Sequence, residues 1–260
     1  LRLIKTVRPD RIFHLAGQAS VMLSWRDPAA TMTANLVSTQ HVFDAVRQLV
    51  PKARIHIASS SDEYGRCPYS HMPIREIEPL RPITPYAVSK VAQEVLAMQQ
   101  HAVYGTHVVR TRAFNHLGPG QTEFYVASSF ARQVALIERG RQPNIIEVGN
   151  VSAIRDFTDV RDVVRAYWLA LEHGKPGQVY NICSGVGRPV SELLTVLRQK
   201  SSRQIQIRRD PSKLRARDIA RFVGSPLKFR RLTGWRQRIS FERSVEDLLA
   251  DWRRRLERSS

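Results

Sequence analysis

The sequence predicts an α/β protein: a doubly wound parallel sheet with a smaller α/β lobe interleaved in it. Three observations carry this. Short apolar, β-branched runs alternate with long helical periods through the first two thirds of the chain. Capping residues, prolines and glycines stand where such helices start and stop. The rhythm breaks over 117–150 and 187–260, where Gly, Pro and Arg become frequent and the elements shorten. Strands separated by helices of this length pair in parallel through crossovers that cover both faces. The sheet core is therefore expected over 1–116 and 151–186, and the smaller lobe over 117–150 and 187–260.

Each element follows in order. RIFHLAG is a strand ending at Gly17. PAATMTANLVSTQHVFDAVRQLV is the helix after it, with Asp27 as cap and Pro28 in the first turn. ARIHIASSS is the second strand. TPYAVSKVAQEVLAMQQHAVYG is the second helix, capped by Thr84, opened by Pro85 and stopped by Gly105. THVVRTRAFN is the third strand. ASSFARQVALIERG is a lobe helix, and FTDVRDVVRAYWLALEHG is a core helix ending at Gly174 before the fourth strand, QVYNICSG. PVSELLTVLRQKS, QIQIRR and SVEDLLADWRRRLERS complete the lobe as helix, strand and helix.

At 260 residues and 42% hydrophobic the chain can bury a substantial core. No apolar run approaches the roughly 20 residues of a bilayer span, and LRLIKTVRPD lacks the apolar centre of a signal peptide, so a soluble, cytoplasmic protein is expected. The two cysteines, Cys67 and Cys183, have neither metal-site nor disulfide spacing; both are read as reduced thiols, with Cys183 packing in a strand and no metal expected. The net charge of +18 invites a polyanion, and residues 201–260 carry 17 Arg and Lys against 7 Asp and Glu. No zinc-finger, RNP or basic-zipper pattern accompanies it, so a nucleic-acid reading rests on charge alone and a basic solvated surface is preferred.

The chemistry concentrates in PYAVSK. Tyr86 and Lys90 stand four apart and share a helix face, so the ammonium lies near the phenol and favours its anion. Such a tyrosine exchanges a proton with a carbonyl or hydroxyl oxygen while hydride moves. Alone, Y-x-x-x-K fits the opening turn of any helix. ASSSDEYG changes the balance: Ser59, Ser60 and Ser61 end a buried strand at the edge where ligands bind in such sheets, although serines there also simply start a turn. The two motifs together, about 25 residues apart, are far more specific than either.

With these motifs in order the sequence resembles the extended short-chain dehydrogenase/reductase family, in its branch of nucleotide-sugar epimerases, dehydratases and reductases. IFHLAGQASV, SSSDEYG, PYAVSK, TRAFNHLGPGQ, VGNVSAIRDFTDVRDVVRAY, VYNICSG and FVGSPLKFRRLTGW carry the resemblance over nearly the whole chain, most closely to enzymes of GDP-sugars. The resemblance implies a Rossmann-like sheet, NAD or NADP as cofactor, a GDP-sugar substrate and a homodimer. It implies Tyr86 as proton donor to a 4-keto oxygen, Lys90 as its tuner and holder of the nicotinamide ribose, and Ser60 as second donor. Leu15, Ala16, Gly17 and Ser59 would line the cofactor with Tyr86 and Lys90. Gln18, Asn115, Val148 and Asn150 would contact the sugar nucleotide, Arg155 and Arg215 its pyrophosphate and ribose side, and Asp218 its ribose. Other readings stand beside these: Asn115 as a turn cap, Arg155 paired with Asp156 or Asp159, Arg215 as one more surface charge.

The expected reaction is hydride transfer from NAD(P)H to C4 of a GDP-linked 4-keto-6-deoxy-hexose. A 4,6-dehydratase or related epimerase is the alternative, since elimination needs an added acid or base and Asp62 and Glu63 follow the serines, with Asp62 as the candidate. A non-catalytic basic remnant binding nucleic acid or a protein is a third reading. The pattern departs in two places. RARD at 215–218 stands where Arg-Pro-x-Glu is common, and no G-x-x-G-x-x-G turn opens the chain. The chain is thus expected to begin inside the sheet, N-terminally incomplete by about 60 residues, or two βαβ repeats.

Overall fold

The computed structural model describes residues 1–213 and 219–258. Its strands are β1 (Arg11–His14), β2 (Arg54–Ser60), β3 (Val108–Ala113), β4 (Asn115–Leu117), β5 (Ile145–Val148), β6 (Ile154–Asp159), β7 (Val179–Ile182), β8 (Gly187–Pro189), β9 (Gln206–Arg209) and β10 (Arg221–Phe222). Its α-helices are α1 (Arg2–Val7), α2 (Val21–Arg26), α3 (Pro28–Met32), α4 (Ser38–Leu49), α5 (Pro85–Tyr104), α6 (Val126–Glu138), α7 (Val160–His173), α8 (Ser191–Lys200), α9 (Leu227–Thr233) and α10 (Phe241–Arg258). Among the described residues no helix is long and apolar enough to cross a membrane.

Contacts divide the chain into two compact units. The first comprises Leu1–Phe114, Val164–Ile182 and Gly224–Arg236. Its sheet runs β1-β2-β3-β7, every pair parallel, which is the α/β parallel architecture the sequence predicts. Period-two alternation places helices on both faces. Ile55 and Ile57 of β2 pack with Phe43 of α4 and Ala97 of α5, whereas His56 between them packs against Tyr167 of α7, the rings tilted and their centroids 4.3 Å apart. The caps expected from sequence are present: Asp27 Oδ1 accepts from Ala30 N at 2.8 Å, Thr84 Oγ1 from Ala87 N at 3.0 Å, and Gly105 closes α5 in the left-handed region.

The second unit comprises Asn115–Val163, Cys183–Val223 and Gln237–Ser260. It holds a β10-β6-β4 sheet with β8 antiparallel on β6, and a β5-β9 pair. α6, α8 and α10 contribute Phe130, Val134, Leu193, Leu197, Leu248 and Trp252 to its apolar core.

These boundaries differ from the rhythm of the sequence. Residues 151–163 group with the second unit because β6 pairs there with β4, β8 and β10, so Phe157–Asp159, expected to open a helix, are strand. Residues 224–236 group with the first unit, where Phe229 of α9 packs on Tyr180 of β7 and Ser225 N donates to Ile74 O at 2.8 Å. The long helix expected after β1 is also divided. A wide π turn over Thr33–Val37 separates α3 from α4 and turns Asn35 fully inward. Cys67 and Cys183 are both buried and neither forms a disulfide, and Cys183 lies one residue past β7.

Candidate active site

The site begins where β2 ends. A 3₁₀ turn over Ser61–Tyr64 follows the strand, and Ser60 caps it: Ser60 Oγ accepts from Asp62 N at 3.2 Å, while the Glu63 carboxylate accepts from Ser60 N at 3.0 Å. The turn-starting role is therefore real for Ser60, but a hydroxyl that accepts one bond keeps its proton for another. Ser59 and Ser61 are buried, and the Ser59 hydroxyl has no partner among the described residues. Asp62 is half-buried at the second position of this turn.

α5 supplies the other half. Tyr86 and Lys90 lie on its buried face, only 9% and 8% exposed, with the Lys90 ammonium 6.0 Å from the centroid of the Tyr86 ring. Lys90 Nζ donates to Ala58 O and to Gln93 Oε1, each at 2.9 Å. The first bond fastens the helix to the strand that ends at Ser60. Burial lowers the Lys90 pKa to about 8, with the Glu63 charge acting in the opposite direction.

Behind Lys90 a chain of bonds runs to β1. Gln93 Nε2 donates to Thr39 Oγ1 at 2.6 Å, Thr39 Oγ1 donates to Asn35 O at 2.6 Å, and His14 Nε2 lies 2.9 Å from the same hydroxyl. Burial and then the Lys90 charge lower the His14 pKa. Asn35 joins three segments. Its Oδ1 accepts from Gln18 N at 2.7 Å, and its Nδ2 donates to Gln18 O at 3.0 Å and to Ser89 Oγ at 2.8 Å. Ser89 in turn donates to the Tyr86 carbonyl at 2.7 Å.

A buried ionic cluster binds turn, helix and β3 together. Arg112 Nη2 donates to Glu94 Oε2 at 2.8 Å and Nη1 to the Tyr64 hydroxyl at 2.9 Å, and that hydroxyl donates to Asn181 Oδ1 at 2.8 Å. Arg110 lies 3.4 Å from Glu94. Burial, then the Glu94 charge, pushes Glu63 well above the usual carboxylate range. Burial opposes ionisation of Glu94 too, but the hydrogen bond from Glu63 and the charges of Arg112 and Arg110 outweigh it, holding Glu94 low. The two carboxyls are thus driven apart, Glu63 toward its protonated form and Glu94 toward its ionised one. Glu63 was legible only as a carboxylate after the serines, and Glu94, Arg110 and Arg112 were not singled out; the available signal was RTR inside a strand flanked by Val and Ala, and Glu94 one turn beyond Lys90.

Beyond β1, Leu15, Ala16 and Gly17 form an exposed ledge, Leu15 at 58% exposure. Gly17 has φ 154°, and a Cβ there would stand 2.5 Å from Asn35 Oδ1, so glycine is needed for this approach. Gln18 uses its side chain locally, Nε2 donating to Ser20 O and Thr31 Oγ1 at 3.0 Å each. The ledge, the unpartnered Ser59 hydroxyl and the Lys90 donor form a donor set that fits the nicotinamide-ribose side of NAD(P).

The remaining candidates belong to the second unit. Asn115 is exposed at the start of β4. Val148 ends β5 within the apolar core, its carbonyl accepting from Asp210 N at 2.8 Å. Asn150 Oδ1 accepts from Ser152 N at 3.1 Å and Ser152 Oγ at 2.7 Å. Arg155 Nη1 donates to Ile154 O at 3.0 Å, while Asp159 accepts from Arg161 and Asp156 from Ser184. Arg215 and Asp218 lie outside the described residues.

A parallel α/β sheet that ends a strand in serines, next to a helix with a buried Tyr-x-x-x-Lys face, defines the class of short-chain dehydrogenases and reductases. Within that class the chain belongs to the GDP-mannose 4,6 dehydratase family, whose sequence model matches residues 1–248. It is 39% identical over 248 residues to GDP-6-deoxy-D-mannose reductase of Pseudomonas aeruginosa, covering 95% of this chain and 82% of that protein. It is 28% identical to GDP-mannose 4,6 dehydratase 2 of Caenorhabditis elegans, covering 96% of this chain and 70% of that one. The solved structure of the Pseudomonas aeruginosa protein RMD complexed with NADPH matches with a TM-score of 0.91 at 38% identity, over 95% of this chain and 82% of that chain. The Thermus thermophilus UDP-glucose 4-epimerase complex with NAD matches with a TM-score of 0.85 at 28% identity, over 97% and 80%.

Proposed function

We propose that the chain is a cytoplasmic NAD(P)H-dependent reductase of the 4-keto group of a GDP-linked 4-keto-6-deoxy-hexose. The observation that carries this is the Lys90 bond to Ala58 O, which ties the Tyr86 face of α5 to the strand ending at Ser60. Similarity to a GDP-6-deoxy-D-mannose reductase supports the substrate class. Leu15, Ala16, Gly17 and Ser59 would hold the nicotinamide side of the cofactor together with Tyr86 and Lys90. When bound, the reduced nicotinamide supplies hydride to C4. Tyr86 gives its phenolic proton to the keto oxygen, Ser60 donates a second hydrogen bond to that oxygen, and the Lys90 cation stabilises the phenolate left behind. Gln18, Asn115, Val148 and Asn150 would contact the sugar nucleotide. Arg155 and Arg215 would hold its phosphates through forked donors, and Asp218 its ribose.

The second reading, a 4,6-dehydratase, is favoured by Asp62, a carboxylate two residues after Ser60 in the same turn. Incubation with NADPH and GDP-4-keto-6-deoxy-mannose separates the two. Reduction predicts stoichiometric NADPH oxidation and a GDP-deoxyhexose. Conversion of GDP-mannose to the keto sugar without net NADPH consumption supports dehydration instead, and inertness toward both substrates overturns the reading. A homodimer is proposed through the apolar groove lined by Leu36, Val88, Val91, Val95 and Leu96.

A further inference from the structure

The segment between Ser60 and Tyr86 holds a cluster that the reaction does not use. Cys67, His71 and Glu78 come together there with one sulfur, one ring nitrogen and one carboxylate oxygen all within 4.8 Å of one another. We propose that these three side chains bind a zinc-class divalent cation.

The donor set is borderline-soft, mixing thiolate, imidazole and carboxylate, as zinc prefers over magnesium or calcium. Zinc bonds of about 2.0–2.3 Å place tetrahedral ligand atoms roughly 3.3–3.8 Å apart. His71 Nδ1 and Glu78 Oε2 already stand 3.0 Å apart, so the pair needs to open only slightly and the sulfur to close by about an ångström or less. Cys67 is buried, which fixes its sulfur, while His71 is exposed and leaves an entry path from solvent. Thiolate and carboxylate together would neutralise the ion's two charges. Three protein ligands leave a fourth position for water.

The local chain folds toward this geometry. A 3₁₀ turn over Tyr69–His71 brings His71 back toward Cys67, and a turn with Glu78 N bonded to Arg75 O at 3.0 Å returns Glu78 to the imidazole. An ion held at both ends would clip residues 67–78 into one closed loop between the serine-bearing and tyrosine-bearing elements. Sequence inspection passes over the site because Cys67 and His71 lie four apart without a second Cys or His pair, and the third ligand is an unremarked glutamate.

The test uses the tag-free, metal-stripped chain. Cobalt(II) is titrated in while the thiolate-to-cobalt charge-transfer band is followed, and zinc affinity is measured against a chromophoric chelator. The proposal predicts one equivalent bound with a thiolate band. It predicts loss of that band in Cys67→Ser, a zinc affinity weakened about tenfold or more in His71→Ala, and no change in Cys183→Ser. His71 is exposed, so its variant tests the site even if Cys67→Ser folds poorly. Absence of a thiolate band in the parent chain, or zinc affinity unaltered by His71→Ala, overturns the proposal.

Discussion

Lys90 is a cation held where a cation is expensive. Its pKa falls from 10.5 to about 8 because burial removes water from the ammonium. The folded chain therefore releases this proton before the unfolded chain does, so Lys90 costs stability below about pH 8, and that cost fades as pH rises toward 10.5. Relative to Lys90→Met, the parent chain is predicted to gain stability between these pH values, measured by urea unfolding. The proposed mechanism needs the charged form, so turnover is predicted to fall as pH rises through about 8, and Lys90→Arg to move that fall upward. The placement of Tyr86 and Lys90 on one helix face and of Ser60 at a strand end was legible in the sequence, because it follows from spacing along single elements. Glu94, Arg110 and Arg112 were not, and Glu63 only as a carboxylate after the serines, because their meaning lies in pairing across three elements. A charged residue in a strand reads as exposed until its partner is known.

The elements are joined by that pairing more than by any single cap. Arg112 connects β3 to Glu94 on α5 and to Tyr64 on the turn after β2. Removing it leaves the low-pKa Glu94 carboxylate buried with its main donor gone. Arg112→Leu is predicted to cost about 3–5 kcal/mol in urea unfolding, against about 1 kcal/mol for loss of the Thr84 cap in Thr84→Ala. The four strands of the first sheet and the helix starts at Asp27 and Thr84 could be read directly. The π turn could not, since nothing in TANLV departs from helical period; it is Asn35, bonded to both Gln18 and Ser89, that accompanies the widened turn.

At the scale of the whole molecule, two units share one chain that passes between them several times. Their boundaries were the least legible feature, because local rhythm does not reveal that β6 pairs with β4 and β10. GDP is predicted to raise the melting temperature progressively with its concentration, with about 2.7 kcal/mol of stabilisation at a hundredfold excess over Kd; an unmoved melting curve removes the substrate assignment. The apolar groove along α5 predicts a dimer in sedimentation that Val95→Asp converts to monomer.

In the proposed reaction the Tyr86 phenol delivers the proton when hydride reaches the keto carbon. This role is tested most directly by single-turnover NADPH oxidation with the 4-keto sugar nucleotide in Tyr86→Phe. The expected rate is lower by about 10²–10⁴-fold, with nucleotide affinity and melting temperature nearly unchanged. A rate within a few-fold of the parent chain would contradict it.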